Sequence, residues 1–167
     1  MPKPEDLRIG DNLSVIYVGG EKKHYKVTGI DEVFLKDVHA PLATATTESY
    51  TNITYLDPPT GQLIWIGGIE MDGNVELQIK QPAATNRWGT NKSPTGGYLL
   101  DIQSPITDAR KIDLWIAKDY MPAVQLVNNT PVTINPILWW IGRRFSVIEQ
   151  AKEPVPTTLV KIGGLAD

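Results

Sequence analysis

The sequence predicts an all-β protein, an antiparallel β-sandwich, and three observations carry that prediction. Thirteen prolines and fourteen glycines are spread along the whole chain rather than gathered in one linker. Between them lie short runs rich in Val, Ile, Thr, Tyr and Trp, whose branched or flat side chains suit a pleated surface. No window of about a dozen residues carries an apolar repeat at helical spacing.

The first strand is expected at residues 12–18, where Leu13, Val15 and Tyr17 share a face. A Gly19-Gly20 turn leads to strands at 23–28 and 32–38. Residues 49–56 and 62–67 flank the turn Asp57-Pro58-Pro59-Thr60-Gly61 and read as a hairpin. After the Asp72-Gly73 turn, residues 74–80 alternate Val75, Leu77 and Ile79 with polar neighbours, the pattern of a strand with one wet face. Residues 81–97 read as a long loop, because Pro82, Asn86, Gly89, Pro94, Gly96 and Gly97 discourage regular structure. Further strands are expected at 98–103, 111–117, 123–128, 131–135 and 137–149, with a short extended run at 158–162. Strands so spaced, with no helices to cross over, call for a sandwich or barrel, and an eight-stranded jelly roll with N- and C-terminal extensions fits best. An immunoglobulin-like fold is the next choice, and the lack of internal repeats disfavours a propeller. The organisation expected is an arm at 1–11, a single domain at 12–150 and an extended tail at 151–167.

Composition narrows the function classes. The chain has 167 residues and no cysteine, so disulfides and thiolate metal sites are excluded. Sixteen basic residues against nineteen acidic give a net charge of −3, with no block of one sign. The first ten residues carry Lys3 and Arg8 but also Glu5 and Asp6, so no basic arm is present and direct nucleic-acid binding is not expected. No stretch has the zones of a signal peptide, and none reaches the roughly 20 apolar residues of a membrane-spanning helix.

Catalysis is not expected, nor any cofactor. His24 and His39 are the best metal-ligand candidates, but they stand fifteen residues apart, neither has a second histidine two positions away, and only His39 has a carboxylate there, Asp37. No Gly-x-Ser-x-Gly occurs. Glu70, Asp72 and Glu76 lie close together, as a polar turn requires anyway. The glycine pairs at 19–20, 67–68, 96–97 and 163–164 lack the strand–loop–helix setting of a phosphate cradle and read as corners and bulges. Glycosylation sequons occur at Asn12, Asn52, Asn91 and Asn128, a number that chance explains.

The tryptophans are more informative. Trp65 and Trp115 read as core residues. Trp139 and Trp140 are adjacent, so on a strand their rings point to opposite faces, one inward and one outward. They sit in the non-alternating apolar run 136–141, directly before Arg143 and Arg144. An outward indole beside arginines has the composition of an interface hot spot. Trp139, Trp140, Arg143 and Arg144 are therefore expected as contact residues. Thr158, Leu159, Val160 and Ile162 are expected as a second contact, a terminal strand able to add to an edge of its own sheet or of a neighbour's. The alternative is a carbohydrate- or receptor-binding module that uses Arg87 and Trp88 on the 81–97 loop to hold a glycan.

Residues 111–117, 119–122 and 123–145 resemble the closing strands of small single jelly-roll capsid proteins. Those come from tailless icosahedral viruses with an internal membrane that infect archaea and thermophilic bacteria. The resemblance lies in strand lengths, asparagine-rich turns and a late apolar strand ending in basic residues, over about half of the chain. It implies a virion protein whose sandwich stands upright on the capsid and packs with copies of itself or with a sister capsid protein. It also implies an arm or tail that locks neighbours, and a shell that touches an underlying membrane rather than the genome. The expected function is thus that of a structural, self-assembling homo-oligomer.

Overall fold

The structure is a computed structural model that describes residues 3–17, 20–49, 57–72, 75–80, 87–88, 91–92, 98–102, 110–118, 123–128 and 130–162. Among the described residues the fold is all-β, apart from one 3-10 turn at Pro4–Asp6. Twelve strands follow: β1 (Asn12–Tyr17), β2 (Lys22–Val38), β3 (Thr46–Ser49), β4 (Gln62–Asp72), β5 (Val75–Lys80), β6 (Arg87–Trp88), β7 (Asn91–Lys92), β8 (Tyr98–Ile102), β9 (Arg110–Ile116), β10 (Ala123–Asn128), β11 (Ile137–Gln150) and β12 (Thr158–Ile162). They form two sheets, one in the order β12-β1-β2-β11-β4-β9 and the other in the order β3-β10-β5-β8-β7, with β6 beside β5. All pairings are antiparallel except that of β12 with β1, which is parallel.

Most of the expected strands are present, and the departures have local causes. The strands expected at 23–28 and 32–38 are one strand, β2, running unbroken beside β11. Asp31 and its neighbours interrupt the apolar alternation, but one extra residue at Thr28 resets the register between Val147 and Ser146. The hairpin expected across residues 57–61 has its first arm almost wholly on residues 50–56, outside the described residues. From Ile64 onward both edges of β4 are occupied, by β11 and β9, while β3 pairs with β10 in the other sheet. The Gly67-Gly68 pair is not an end of β4 but its bulge, with Gly67 the unpaired residue. A side chain at Gly67 would run into the Trp65 ring, and one at Gly142, across the strands, would run into the Trp65 carbonyl. Residues 131–135 form no strand and contribute only the bridge between Leu42 and Ile134.

The first sheet is buried on both faces for part of its length. On one face Leu7, Leu13, Val15, Val27, Leu63, Trp115, Phe145, Val160 and Ile162 make a core into which every strand of that sheet sends a side chain. Trp115 and Phe145 stack there with centroids 5.5 Å apart. The sheet closes around this core, because its two edge strands, β12 and β9, come close to each other. On the opposite face, register aligns Val33, Gly142, Ile66 and Leu114 in one row, and Trp140 with Ile69 in the next. The apolar members of these rows are buried too. This double burial explains the runs Leu63-Ile64-Trp65-Ile66 and Leu114-Trp115-Ile116-Ala117, which do not alternate.

Asn128, at the end of β10, locks the loops at that end of the molecule. Its amide donates to the carbonyls of Leu42, Ala43 and Val132 at 2.9, 3.1 and 2.9 Å. Its Oδ1 accepts from the Thr130 backbone N–H and hydroxyl.

Candidate interaction surface

The face of the first sheet that holds the Phe145 core changes character along β11. At the row Glu32–Arg143–Trp65 the closed part ends. There Arg143 donates through Nε to Glu32 at 3.2 Å and through Nη1 to the Leu7 carbonyl at 3.2 Å, so the N-terminal turn caps the core. Beyond that row the same face carries exposed and half-buried side chains on β2 and β11. Register across β2, β11 and β4 sets out three rows: Phe34–Ile141–Gly68, Lys36–Trp139–Glu70 and Val38–Ile137–Asp72. Phe34 and Val38 are 65% and 63% exposed, and Ile137, Trp139 and Ile141 are half-buried between them and β4. The Lys36 ammonium stands 5.9 Å from the centre of the Trp139 ring, within cation–π range. Five large apolar side chains thus form one contiguous patch with a cation on its β2 side and a carboxylate on its β4 side. Isolated exposed apolar residues are ordinary, whereas a contiguous patch marks a contact.

The sequence-predicted contact residues separate on this geometry. Trp139 faces outward at the centre of the patch. Trp140 is 0% exposed, so it is a core residue and not a contact residue. Its ring points to the opposite face because adjacent strand residues alternate. Arg143 closes the border of the patch, as above. Arg144 lies on the Trp140 side, where its Nε is buried with no hydrogen-bond partner among the described residues. In β12, Thr158, Val160 and Ile162 are buried and Leu159 is 40% exposed. Of the two places open to this strand it takes the edge of its own sheet, so its inward residues serve the domain's own core. Arg87 and Trp88 form β6, opposite Lys80 and Ile79 of β5, and their side chains lie outside the described residues. Phe34, Lys36 and Val38 are not among the contact residues expected from the sequence. Their signal was present, since Phe34 and Val38 alternate with Val33, Leu35 and Asp37, but alternation alone does not say which face is wet.

The tail that delivers β12 is pinned by a polar cluster. Ser14, fully buried, places its hydroxyl 3.0 Å from His24 Nδ1, 3.0 Å from Thr157 Oγ1 and 3.5 Å from Glu153 Oε1. Lys22 pairs with Glu153 at 3.2 Å. That hydrogen bond and the Lys22 charge hold the Glu153 carboxyl below its ordinary value. His24 is therefore engaged in fastening the tail. His39, at the other end of β2, hydrogen-bonds through Nδ1 to the Ala40 carbonyl at 2.7 Å. Among the described residues no group of three His, Asp or Glu side chains could hold a metal ion. A cleft of ≈ 220 Å³ beside β1 and β2 is lined by Tyr17, Glu21, Lys23, Tyr25 and Lys118, among others, and contains neither histidine.

Compared with protein-family models, with curated proteins and with solved structures, the chain matches none. No helix among the described residues is long and apolar enough to cross a membrane.

Proposed function

We propose that the chain is a structural, self-assembling subunit, a single jelly-roll capsid protein that packs side by side in a virion with copies of itself or a sister chain. The observation that carries this reading is the open apolar patch centred on Trp139, on a face of three paired strands. The fold is supported by strand order. With β2, β3, β4, β5, β8, β9, β10 and β11 numbered one to eight, one sheet runs 1-8-3-6 and the other 2-7-4-5. That interleaving is the double Greek key of a jelly roll, an architecture used by capsid proteins and lectins. On this reading β1 and β12 are the terminal extensions, and they widen the 1-8-3-6 sheet beyond its first strand.

The test is the solution mass of the purified chain across a wide concentration series, with electron microscopy of whatever forms. Mass that rises with concentration, and closed shells or regular capsomers on the grid, are the expected result. A strict monomer at all concentrations that instead retains glycans on an array would replace the capsid reading with the carbohydrate-binding one.

A further inference from the structure

Resting on the self-assembly reading, we infer that the patch binds the same patch of a second copy, related by a two-fold axis that runs between the faces and parallel to β11. The argument is the left–right asymmetry of the rows. In the row Lys36–Trp139–Glu70, the cation lies on the β2 side and the carboxylate on the β4 side of a central indole. The two flanking strands are separated by about 10 Å, two inter-strand spacings. Among the described residues Lys36 and Glu70 form no ion pair with each other. A two-fold axis along the strand direction exchanges left and right while keeping each row level with itself. Lys36 of each copy then meets Glu70 of the other, twice, and the two Trp139 rings meet in the middle. The neighbouring row follows the same rule. Phe34, the most exposed large side chain of the patch, comes level with Gly68 of the other copy, a position that has no side chain and is itself buried. An axis across the strands would instead set Lys36 against Lys36 and Glu70 against Glu70, so charge selects the first arrangement.

The patch covers only about 300 Å² per copy, three strands wide and three side-chain rows tall, well below the roughly 800 Å² of a stable interface. The pairing is therefore weak in solution and visible at high concentration. Assembly would add further contacts to it.

The experiment uses the full chain and the charge reversals Lys36→Glu and Glu70→Lys, followed by sedimentation equilibrium, with thermal melting as the check on folding. Each variant alone sets like charges together on both sides of the two-fold, and should self-associate at least about tenfold more weakly than the parent chain. Mixed one to one, they should form a heterodimer of near-parental affinity, because each mismatch meets its complement. If the parent chain associates but the variants do so unchanged, or their mixture fails to recover while both melt normally, this pairing is overturned and self-assembly by another surface stands. If the parent chain stays monomeric throughout, the pairing is overturned and so is self-assembly, leaving only packing with a sister chain.

Discussion

Trp139 and Trp140 show how one step along a strand separates stability from association. Trp140 is fully buried, so Trp140→Ala should cost about 3–5 kcal/mol, the range for emptying a large aromatic site in a core. A drop in the denaturant midpoint at constant slope would register it. Trp139→Ala should move that midpoint little and weaken self-association instead, since its ring serves the outer face. Equal losses of stability from both variants would contradict the face assignment. That the pair divides between two faces was legible from adjacency alone. Which ring goes inward was not, because it depends on the residues of β2 and β4 opposite each one. Asn128 is the counterpart among polar residues. Read in sequence it marks a turn and a sequon, yet it is 0% exposed with its amide shared among three carbonyls. Asn128→Asp keeps the shape and removes the donors, leaving a carboxylate against those carbonyls. A loss of at least about 3 kcal/mol is expected by chemical denaturation.

Among the elements, β12 is the one whose role the sequence left open between two edges. An apolar strand behind a proline-containing segment fits its own sheet or a neighbour's equally well as a pattern. The choice is made by three-dimensional detail: Val160 and Ile162 reach the core, and Ser14, Thr157, Glu153 and Lys22 fasten the approach. Ending the chain at Ala151 should therefore destabilise the monomer, by exposing Leu13 and Val15 beneath the missing strand, and a lower melting temperature would show it. The fastening also has a pH signature. Glu153 has its folded-state value lowered, so its contribution is present above the ordinary value of 4.5 and lost as pH falls through the lower folded-state value. The parent chain should melt above Glu153→Gln at pH 6, and the two melting curves should converge in the acid range below 4.5. A gap that persists there would assign the difference to packing rather than to charge. Elsewhere, β1 and β5 were legible because period-two alternation survives in them. The partners of β4 were not legible, because the Asp57–Gly61 turn chemistry is local while β11 and β9 take both its edges from Ile64 onward.

For the molecule as a whole, the balance between apolar and charged contact can be decided by magnitude. Its net charge is only −3, so copies approach without strong mutual repulsion. If two patches of about 300 Å² are covered, the gross apolar gain is on the order of 15 kcal/mol at 25 cal/mol per Å². Most of this is offset by the lost freedom of two bodies and of their side chains. Two rim pairs of Lys36 with Glu70 add roughly 0–1 kcal/mol each and are screened by salt. The apolar part therefore supplies the affinity, and the charges choose the orientation. Raising sodium chloride from low salt to about 0.5 M, where the screening length is only a few Å, should weaken self-association by less than about tenfold. Sodium sulfate at equal ionic strength should strengthen it, because sulfate is excluded from apolar surface and favours burial. Sedimentation equilibrium in the two salts separates the cases directly. Collapse of the association in chloride would mean that charge supplies the affinity, and that the indoles of Trp139 do not meet at the centre of the contact.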